Sequence, residues 1–496
     1  MKRAQRHTTL GRLLDGIVDA GALAELPVRG LALDSRQVEP GALFIALRGS
    51  RGHGVEHGAA AAAAGAVAML YEAPAEVARV ELPAIGVPGL RAELGEIANR
   101  YYGDPSAGMT VIGVTGTNGK TSTVQLLAQA LADAGMVVGT IGTLGAGLVG
   151  ALEAGERTTP DVLSIHGLIA ALRERGATHL AMEVSSHALD QGRVDGVAFD
   201  LAVFTNLTRD HLDYHGSMHA YGAAKQRLFD WPGLGGAVVN RDDAFGRELL
   251  ARPGSAPAQR RLSYSAAGDA AAELRASAIR TSASGIAFEL ATPWGSAAVE
   301  SRLLGRFNVE NLLAVAGCLG LLGWTLPRIA AALARLTPIA GRMNRLGGDG
   351  ARPLVVIDYA HTPDALEQAL ANLRAHTTGR LWCVFGCGGE RDKGKRPQMG
   401  AIAERLADAL VITDDNPRGE DGDAIVAAIR AGLLAPERAQ LQRDRARAIH
   451  WAVSRAQPGD TVLVAGKGHE DYQEIAGAKL PFDDLAVAGR ALEARA

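Results

Sequence analysis

Gly116-Thr117-Asn118-Gly119-Lys120-Thr121-Ser122 ends in a lysine followed by hydroxyl residues, the residue types that hold a nucleotide's phosphates. Glycines let backbone amides approach an anion, and a helix beginning at once adds the positive end of its dipole. Lys120 supplies a point charge for the β- and γ-phosphates, and the Thr121 hydroxyl suits Mg²⁺. The spacing departs from the common loop, because Val114 stands where the first glycine belongs and Gly113 precedes it. A plain strand-to-helix turn with a surface lysine would explain the glycines but not the lysine–threonine pair. Glu183 opens the polar run Val184-Ser185-Ser186-His187-Ala188-Leu189-Asp190-Gln191-Gly192-Arg193. A carboxylate there can hold the nucleotide's Mg²⁺, a hard cation that prefers oxygen, or it can cap the next helix. Thr205-Asn206-Leu207-Thr208-Arg209-Asp210-His211-Leu212-Asp213-Tyr214-His215 gathers more polar groups than a solvated turn needs. His211 and His215 have the i, i+4 spacing of a zinc pair. With no glutamate between them and no cysteine near, one histidine assisting Mg²⁺ is the better reading.

These groups need strand ends to present them. Val111-Ile112-Gly113-Val114-Thr115 predicts a strand, and Thr121 to about Ala134 a helix with Val124, Leu127 and Leu131 on one face, stopped at Gly135. Runs at 178–184 and 201–205 predict further strands, alternating with helical patterns. That rhythm implies a parallel sheet with helices on both faces, whose ligands sit beyond the carboxyl ends of the strands. Three blocks result. Residues 1–107 hold short strands and an alanine-rich helix, ending at the turn cluster Tyr101-Tyr102-Gly103-Asp104-Pro105-Ser106; 108–339 hold the phosphate loop; 340–496 repeat the α/β rhythm with strands at 353–358, 380–385, 409–413 and 461–465.

At 496 residues, about three domains are expected. A net charge of −3 gives no electrostatic case for nucleic acid or a membrane as main partner, and 4% aromatics argue against a base-stacking platform. Three cysteines, Cys318, Cys383 and Cys387, suit a reducing compartment, and Cys383 and Cys387, in a strand-like stretch without neighbouring histidines, read as small buried hydrophobes rather than metal ligands. The basic start Met1–His7 lacks a secretory apolar core, and the alanine run at 59–64 is too short to span a bilayer. A cytoplasmic protein is expected.

With Met182-Glu183-Val184-Ser185-Ser186-His187 and Asn206-Leu207-Thr208-Arg209-Asp210-His211-Leu212-Asp213-Tyr214-His215-Gly216, the phosphate loop resembles the Mur ligase family. So do Asp34-Ser35-Arg36, Thr158-Thr159-Pro160, Asn240-Arg241-Asp242-Asp243, Gly305-Arg306-Phe307-Asn308-Val309-Glu310-Asn311 and Gly341-Arg342-Met343. Asp358-Tyr359-Ala360-His361-Thr362-Pro363, Gly388–Arg396, Asp415-Asn416-Pro417-Arg418 and Gly466-Lys467-Gly468-His469-Glu470 complete the series in the family's order. The resemblance implies an α/β chain of three domains: a smaller α/β N-terminal one (1–107) for the UDP moiety, a central P-loop-type parallel-sheet ATPase (108–339) and a Rossmann-like C-terminal one (340–496) for the incoming amino acid. It implies ATP and Mg²⁺ as cofactors, UDP-N-acetylmuramoyl-L-alanyl-D-glutamate and meso-diaminopimelate as partners, and a monomer. Gly116–Ser122, Asn308, Asn311 and Arg342 would bind the nucleotide. Thr121, Glu183, His211 and a carbamylated Lys225 would hold metal, with Lys120, Glu183, His211 and Lys225 serving the reaction. Ser35 would hold the uridine end, and Thr158, Thr159, Ser185, Gln191 and Arg193 the muramoyl-dipeptide. Carbamylation turns a cation into an anion and needs a neutral amine, hence a desolvated lysine.

The same resemblance gives Asp415, Asn416, Pro417 and Arg418 the choice of amino acid, with Arg391, Gly466 and Glu470 beside them. Meso-diaminopimelate ends in a carboxylate as well as an ammonium. Arg418 can grip that carboxylate in a bidentate fork, and would repel lysine's bare ammonium. The implied reaction is ATP-driven amide synthesis through an acyl phosphate, with domain closure excluding water. The alternatives are a lysine-adding ligase of the same family and, from another class, a P-loop ATPase acting as a regulatory switch. Folylpolyglutamate synthetase shares the central logic but lacks a UDP-binding first domain. Three positions depart from the family pattern: His53 and Glu390 replace acidic and aspartate residues, and Asn344 a glutamate.

Overall fold

The computed structural model describes residues 8–49, 52–77, 81–155, 157–254, 259–339 and 341–495. The basic stretch Met1–His7 and Ala340, the expected first residue of the third block, lie outside them. The chain gathers into two compact units, Met1–Tyr264 with Gly317–Leu322, and Ser265–Ala316 with Gly323–Ala496.

After a short helix, Leu10–Leu14, between the paired segments Thr8–Thr9 and Pro27–Val28, the first unit has a four-stranded parallel sheet, β1 (Gly30–Ala32), β2 (Ala42–Ala46), β3 (Ala68–Ala73) and β4 (Ala84–Pro88), in that spatial order. Helix α1 (Leu90–Tyr102) covers it through Leu90, Leu94, Ile97 and Ala98 and stops at Gly103. The alanine-rich helix is only one short element, Gly58–Ala63.

The phosphate-loop strand β5 (Thr110–Thr115) leads into α2 (Lys120–Asp133). Strand β6 (Val138–Gly142) is extended by two antiparallel edge strands, β7 (Gly145–Leu148) and β8 (Ala151–Glu153). Then come α3 (Val162–Glu174), β9 (His179–Glu183), α4 (Ser186–Asp190), β10 (Leu201–Phe204), α5 (Leu212–His215) and α6 (Met218–Gln226). Strands β11 (Gly236–Asn240) and β12 (Arg260–Ser265) close the series. The spatial order is β8-β7-β6-β9-β5-β10-β11-β12, parallel from β6 onward. The chain leaves β5 for β6 but places β9 between them, so β9 and β10 flank β5 on opposite sides. Such a switch point opens a crevice beyond the strand ends. The strands are buried on both faces, which is why they read as apolar runs without alternation. Val124, Leu127 and Leu131 of α2 are fully buried, and Gly135 follows the helix in the left-handed conformation.

The second unit starts with an antiparallel meander, β13 (Leu274–Ser282), β14 (Gly285–Thr292) and β15 (Gly295–Ser301). After α7 (Phe307–Leu321) and α8 (Leu326–Arg335), strands β16 (Asn344–Gly347), β17 (Leu354–Asp358), β18 (Leu381–Phe385), β19 (Ala409–Ile412), β20 (Gln440–Leu441) and β21 (Thr461–Ala465) form one sheet. Its order is β16-β17-β21-β18-β19-β20, with only β16 antiparallel. Helices α9 (Pro363–Arg374), α10 (Lys395–Leu406) and α11 (Gly422–Arg430) pack on one core, while α12 (Arg445–Arg455) belongs to the other. A hairpin, β22 (Tyr472–Ile475) and β23 (Ala478–Pro481), precedes the last helix, α13 (Asp484–Glu493). All three cysteines are free and buried. Among the described residues, no helix is long and apolar enough to cross a membrane.

A candidate nucleotide and acyl-donor site

Two features force the loop after β5 into its shape. Gly116 has φ +151°, and a Cβ there would fall 1.9 Å from the Thr205 hydroxyl, so only glycine fits. Gly119, also left-handed, turns the chain into α2. The loop is laced to the segment leaving β10. Thr117 N donates to Asn206 O (2.8 Å), Asn118 N to Asn206 Oδ1 (2.9 Å), and Thr205 Oγ1 to Asn118 O (2.6 Å). Thr208 N donates to Thr117 Oγ1 at 3.0 Å. The polar segment 205–208 therefore holds the phosphate loop in place. Gly113, the misplaced glycine, is a packing residue: a Cβ would meet the Phe199 ring at 2.9 Å. Lys120, Thr121 and Ser122 form the first turn of α2, where backbone amides lack intrahelical carbonyls and the dipole is positive.

Glu183 ends β9 beside β5, with Val114 as its register partner. Its carboxylate is buried and accepts Thr121 Oγ1 (2.9 Å), Thr143 N (2.7 Å) and Thr143 Oγ1 (3.2 Å). Its backbone oxygen accepts Thr159 Oγ1 at 3.0 Å, and that same hydroxyl accepts Ser185 N at 3.2 Å. Arg193 Nη1 reaches Thr159 O (2.9 Å) and its Nε and Nη2 hold Gln191 Oε1 (3.0 and 2.6 Å). The Thr158 hydroxyl lies 3.1 Å from that of Thr143. Thr158, Thr159, Ser185, Gln191 and Arg193, expected to act together, thus form one connected group joined through Glu183 to the phosphate loop. Ser185 also caps α4 by accepting Ala188 N. Helix capping does not fall to Glu183, so the alternative reading of that carboxylate fails.

Lys225 lies on α6, buried, with Nζ donating to Gly116 O at 2.8 Å. Lys120 Nζ donates to the same oxygen, also at 2.8 Å. Desolvation, then the Lys120 charge, hold the Lys225 amine well below its ordinary value, with Asp210 opposing. Carbamylation requires a neutral amine, and burial beside the phosphate loop shifts Lys225 toward that form. His211 stands apart. It is left-handed, half-exposed, 3.3 Å from Asp210 Oδ2, and its ring packs edge-on against His187 at 4.8 Å. His215 Nε2 meets Ser186 Oγ at 2.9 Å, and both histidines pack against the rings of His187 and Tyr221.

Thr143, Tyr214 and Lys467 had no assigned role in the sequence. Tyr214 joins Gln191 (3.0 Å) to Asp190 (2.6 Å). Thr143 directly follows a buried apolar run, and a threonine at a parallel strand's carboxyl end was the available signal.

In the N-terminal sheet region, Asp34 closes the turn starting at Ser35, accepting Arg36 N at 2.9 Å. The Arg36 guanidinium also holds the Asp34 carboxyl down to about 2. His53 replaces an acidic residue yet does an acid's work: Nδ1 accepts Val55 N, Glu56 returns a bond to His53 N, and Nε2 lies 2.9 Å from Glu72 O.

The second unit holds the remaining candidates. Asn308 Nδ2 donates to Leu304 O (2.7 Å) and Asn311 Nδ2 to Asn308 Oδ1 (2.8 Å), so both buried amides stitch the start of α7. The Arg342 guanidinium lies 5.5 Å from the Tyr359 ring centre. Asp415, Asn416 and Pro417 follow β19 and are buried. Arg418, left-handed, pairs with Glu474 (3.3 Å) and donates Nη1 to Gly389 O (2.9 Å). A Cβ on Gly388 would lie 3.0 Å from Arg418 Nη1 and 3.7 Å from Arg391 Cγ, which brings both arginines to one spot. Gly466 has φ +121° and packs against Asp415 so closely that a Cβ would fall 2.4 Å from Oδ2. Burial raises the Asp415 carboxyl against the pull of Arg445 and Lys467. Glu470 Oε2 accepts Asn416 Nδ2 at 2.8 Å. All seven residues expected to choose the amino acid lie on the loops that follow β18, β19 and β21. Glu390 is left-handed, with its N donating to Glu420 Oε2 at 3.0 Å.

Three family models match: Mur ligase family, catalytic domain at residues 27–102, Mur ligase middle domain at 114–319, and Mur ligase, glutamate ligase domain at 341–468. The chain is 58% identical over 488 residues to UDP-N-acetylmuramoyl-L-alanyl-D-glutamate–2,6-diaminopimelate ligase of Xanthomonas campestris pv. campestris (strain 8004), covering 98% of each. It is 54% identical over 492 residues to the enzyme of that name from Xylella fastidiosa (strain 9a5c), covering 99% of this chain and 98% of the relative. A solved structure of a ligase with the same name superposes with a TM-score of 0.79 at 38% identity, covering 99% of both chains.

Proposed function

The chain belongs to the Mur ligase family, and from that premise we propose that it is the ATP-dependent ligase adding meso-diaminopimelate to UDP-N-acetylmuramoyl-L-alanyl-D-glutamate in peptidoglycan precursor synthesis. The observation that carries this reading is Glu183. Its carboxylate meets Thr121 of the phosphate loop while its backbone oxygen meets Thr159 of the group gripping the muramoyl-dipeptide. One residue thereby sets the distance between nucleotide and carboxyl substrate.

A carboxylate is a poor electrophile. Transfer of ATP's γ-phosphoryl to the D-glutamyl γ-carboxylate gives an acyl phosphate and ADP. The diaminopimelate amine then attacks the acyl carbon, phosphate leaves, and the amine loses a proton. Lys120 and the first-turn amides of α2 stabilise charge on the transferring group. The Thr121 hydroxyl and Glu183 carboxylate are hard oxygen donors that suit Mg²⁺; bound there, the ion would neutralise phosphate charge. His211 is a further donor on the same sheet edge. The Lys225 amine, in its neutral form, can add CO₂, forming an N–C bond and releasing a proton, to become an anion beside the loop. Arg193, Gln191, Thr158, Thr159 and Ser185 orient the dipeptide, Ser35 the uridine end, and Asn308, Asn311 and Arg342 the nucleotide. Arg418 with Arg391 takes the distal carboxylate of diaminopimelate, and Glu470 its ammonium, with Asp415, Asn416, Pro417 and Gly466 shaping the pocket.

We assign domains at 1–107, 108–339 and 340–496 and place the enzyme in the cytoplasm, where ATP is made. We take the acting species to be a single chain.

Phosphate release measured with each substrate withheld in turn tests the proposal. Turnover is expected only with ATP, the UDP-dipeptide and diaminopimelate together; equal ATP consumption without both acceptors would mean a switch ATPase. Replacing diaminopimelate by lysine should abolish most turnover. Arg418→Ala should raise KM for diaminopimelate about tenfold or more while leaving that for ATP unchanged; equal effects on both would remove Arg418 from selection.

A further inference from the structure

Lys467 follows β21 and is completely buried. Its ammonium donates to Asn416 Oδ1 and Glu470 Oε2, both at 3.0 Å, and lies 5.4 Å from the Tyr472 ring centre. Asn416 donates to the same Glu470 oxygen, and its Oδ1 also accepts Glu474 N at 2.9 Å. The Glu474 carboxylate pairs with Arg418, and the two peptide groups are joined as well, Arg418 N donating to Glu474 O at 2.9 Å. Lys467 is therefore the hub of a network that reaches Asn416, Glu470 and, through Glu474, Arg418. Burying an ammonium costs several kcal/mol unless partners satisfy it, and a residue serving only to fill space there would be apolar.

We propose that Lys467 is a positioning and specificity-determining residue: it pins Glu470 by one carboxylate oxygen and offsets its charge, so that the pocket favours a side chain ending in both ammonium and carboxylate over one ending in ammonium alone. This rests on the amino-acid pocket assigned above. With Lys467 present, Arg418 pairs with Glu474 and Lys467 with Glu470, and the formal charges of Arg391, Arg418 and Lys467 balance those of Asp415, Glu470 and Glu474, a pocket without net formal charge, matched to a zwitterion. Removing Lys467 leaves an excess negative charge. That excess repels the distal carboxylate of diaminopimelate and attracts the terminal ammonium of lysine. Loss of the Lys467 bond also leaves Glu470 Oε2 held by Asn416 Nδ2 alone.

The test uses the full-length enzyme and steady-state phosphate release with meso-diaminopimelate or L-lysine as acceptor. Lys467→Met should lower kcat/KM for diaminopimelate about tenfold or more, chiefly through KM, and leave KM for ATP unchanged. The diaminopimelate-to-lysine preference should fall by at least as much. Lys467→Arg, which keeps the charge, should retain most of the preference. Because Lys467 acts through Glu470, Lys467→Met made in a Glu470→Gln background should cost little more than Glu470→Gln alone. Should Lys467→Met fail to fold, Lys467→Arg and Lys467→Gln carry the same comparison, the charged variant keeping the preference and the neutral one losing it. An unchanged preference in the folded neutral variant, or equal losses for ATP and both acceptors, overturns the assignment. A wild-type enzyme without diaminopimelate-dependent turnover would instead overturn the function proposed above.

Discussion

Gly142 ends β6 with an ordinary strand backbone, and a sequence-based argument would expect alanine there to stabilise the strand by about 0.5–1 kcal/mol. Its surroundings predict the opposite for activity. A Cβ would lie 2.4 Å from Glu183 Oε1 and 2.9 Å from both Cγ and Cδ. Non-bonded carbon contacts settle near about 3.5–4.0 Å, so the carboxylate must retreat by roughly 1 Å. That oxygen is the one accepting Thr121 Oγ1 at 2.9 Å and Thr143 N at 2.7 Å, and neither bond survives such a shift. A hydrogen bond to a charged group is worth about 1.5–3 kcal/mol. Losing one such interaction from the transition state, at 1.36 kcal/mol per tenfold, slows kcat/KM by about 10–150-fold. Phosphate release measured across a Mg²⁺ titration is the assay. Gly142→Ala should need more Mg²⁺ for half-maximal rate and turn over more slowly, with KM for diaminopimelate unchanged, since the amino-acid pocket is untouched. Glu183→Asp, which draws the carboxylate back, should cost less in the Gly142→Ala background than in the wild type. Turnover within twofold of wild type at every Mg²⁺ concentration would refute the role given to Glu183.

Three further outcomes follow from buried charges. The Lys225 amine is held below its ordinary 10.5 in the folded protein, so between the folded value and 10.5 the unfolded chain binds the extra proton and stability rises with pH. In CO₂-free buffer, thermal unfolding should show wild type gaining on Lys225→Met as pH rises from 7 to 10; parallel curves would contradict a desolvated amine. Burial pushes the Asp358 carboxyl up to about 6, against the pull of Met343 N and Arg342, while the unfolded chain releases that proton near 3.8. Its contribution therefore declines as pH rises from 3.8 to 6, and Asp358→Asn should gain about 2 kcal/mol on wild type at pH 7 relative to pH 4, read by urea denaturation. Arg445 and Asp484 form a fully buried two-bond pair at 2.8 and 2.7 Å, with Arg445 also donating to Ala465 O at 3.1 Å. Asp484→Asn leaves an uncompensated guanidinium and should cost about 3–5 kcal/mol of stability; a denaturation midpoint unchanged from wild type would show the pair to be dispensable.

Local chemistry made much of this protein readable from the chain alone. Lys120 after Gly119, with an apolar strand before and a heptad-like face after, can form little else than a strand, a tight turn and a helix N-terminus, because backbone sterics and the helix dipole act within a few residues. Order along the chain sufficed to place Glu183 and the Thr205–Thr208 segment at strand ends. Strand position was another matter. That β9 and β10 flank β5 depends on packing among elements tens of residues apart, and only this puts Glu183 against Thr121 and Asn206 against the loop. Burial likewise lay outside the sequence's reach: the residues around Lys225 and Lys467 do not show that the fold removes water from either side chain. His53 shows the reverse lesson, a departure in residue type that the capping geometry absorbs because an imidazole nitrogen accepts an amide as a carboxylate does. Composition and spacing determined which reactive groups exist and which secondary elements carry them. Tertiary packing alone decided which of them meet, and which lose their hydration, because desolvation and contact between distant segments are properties of the assembled core.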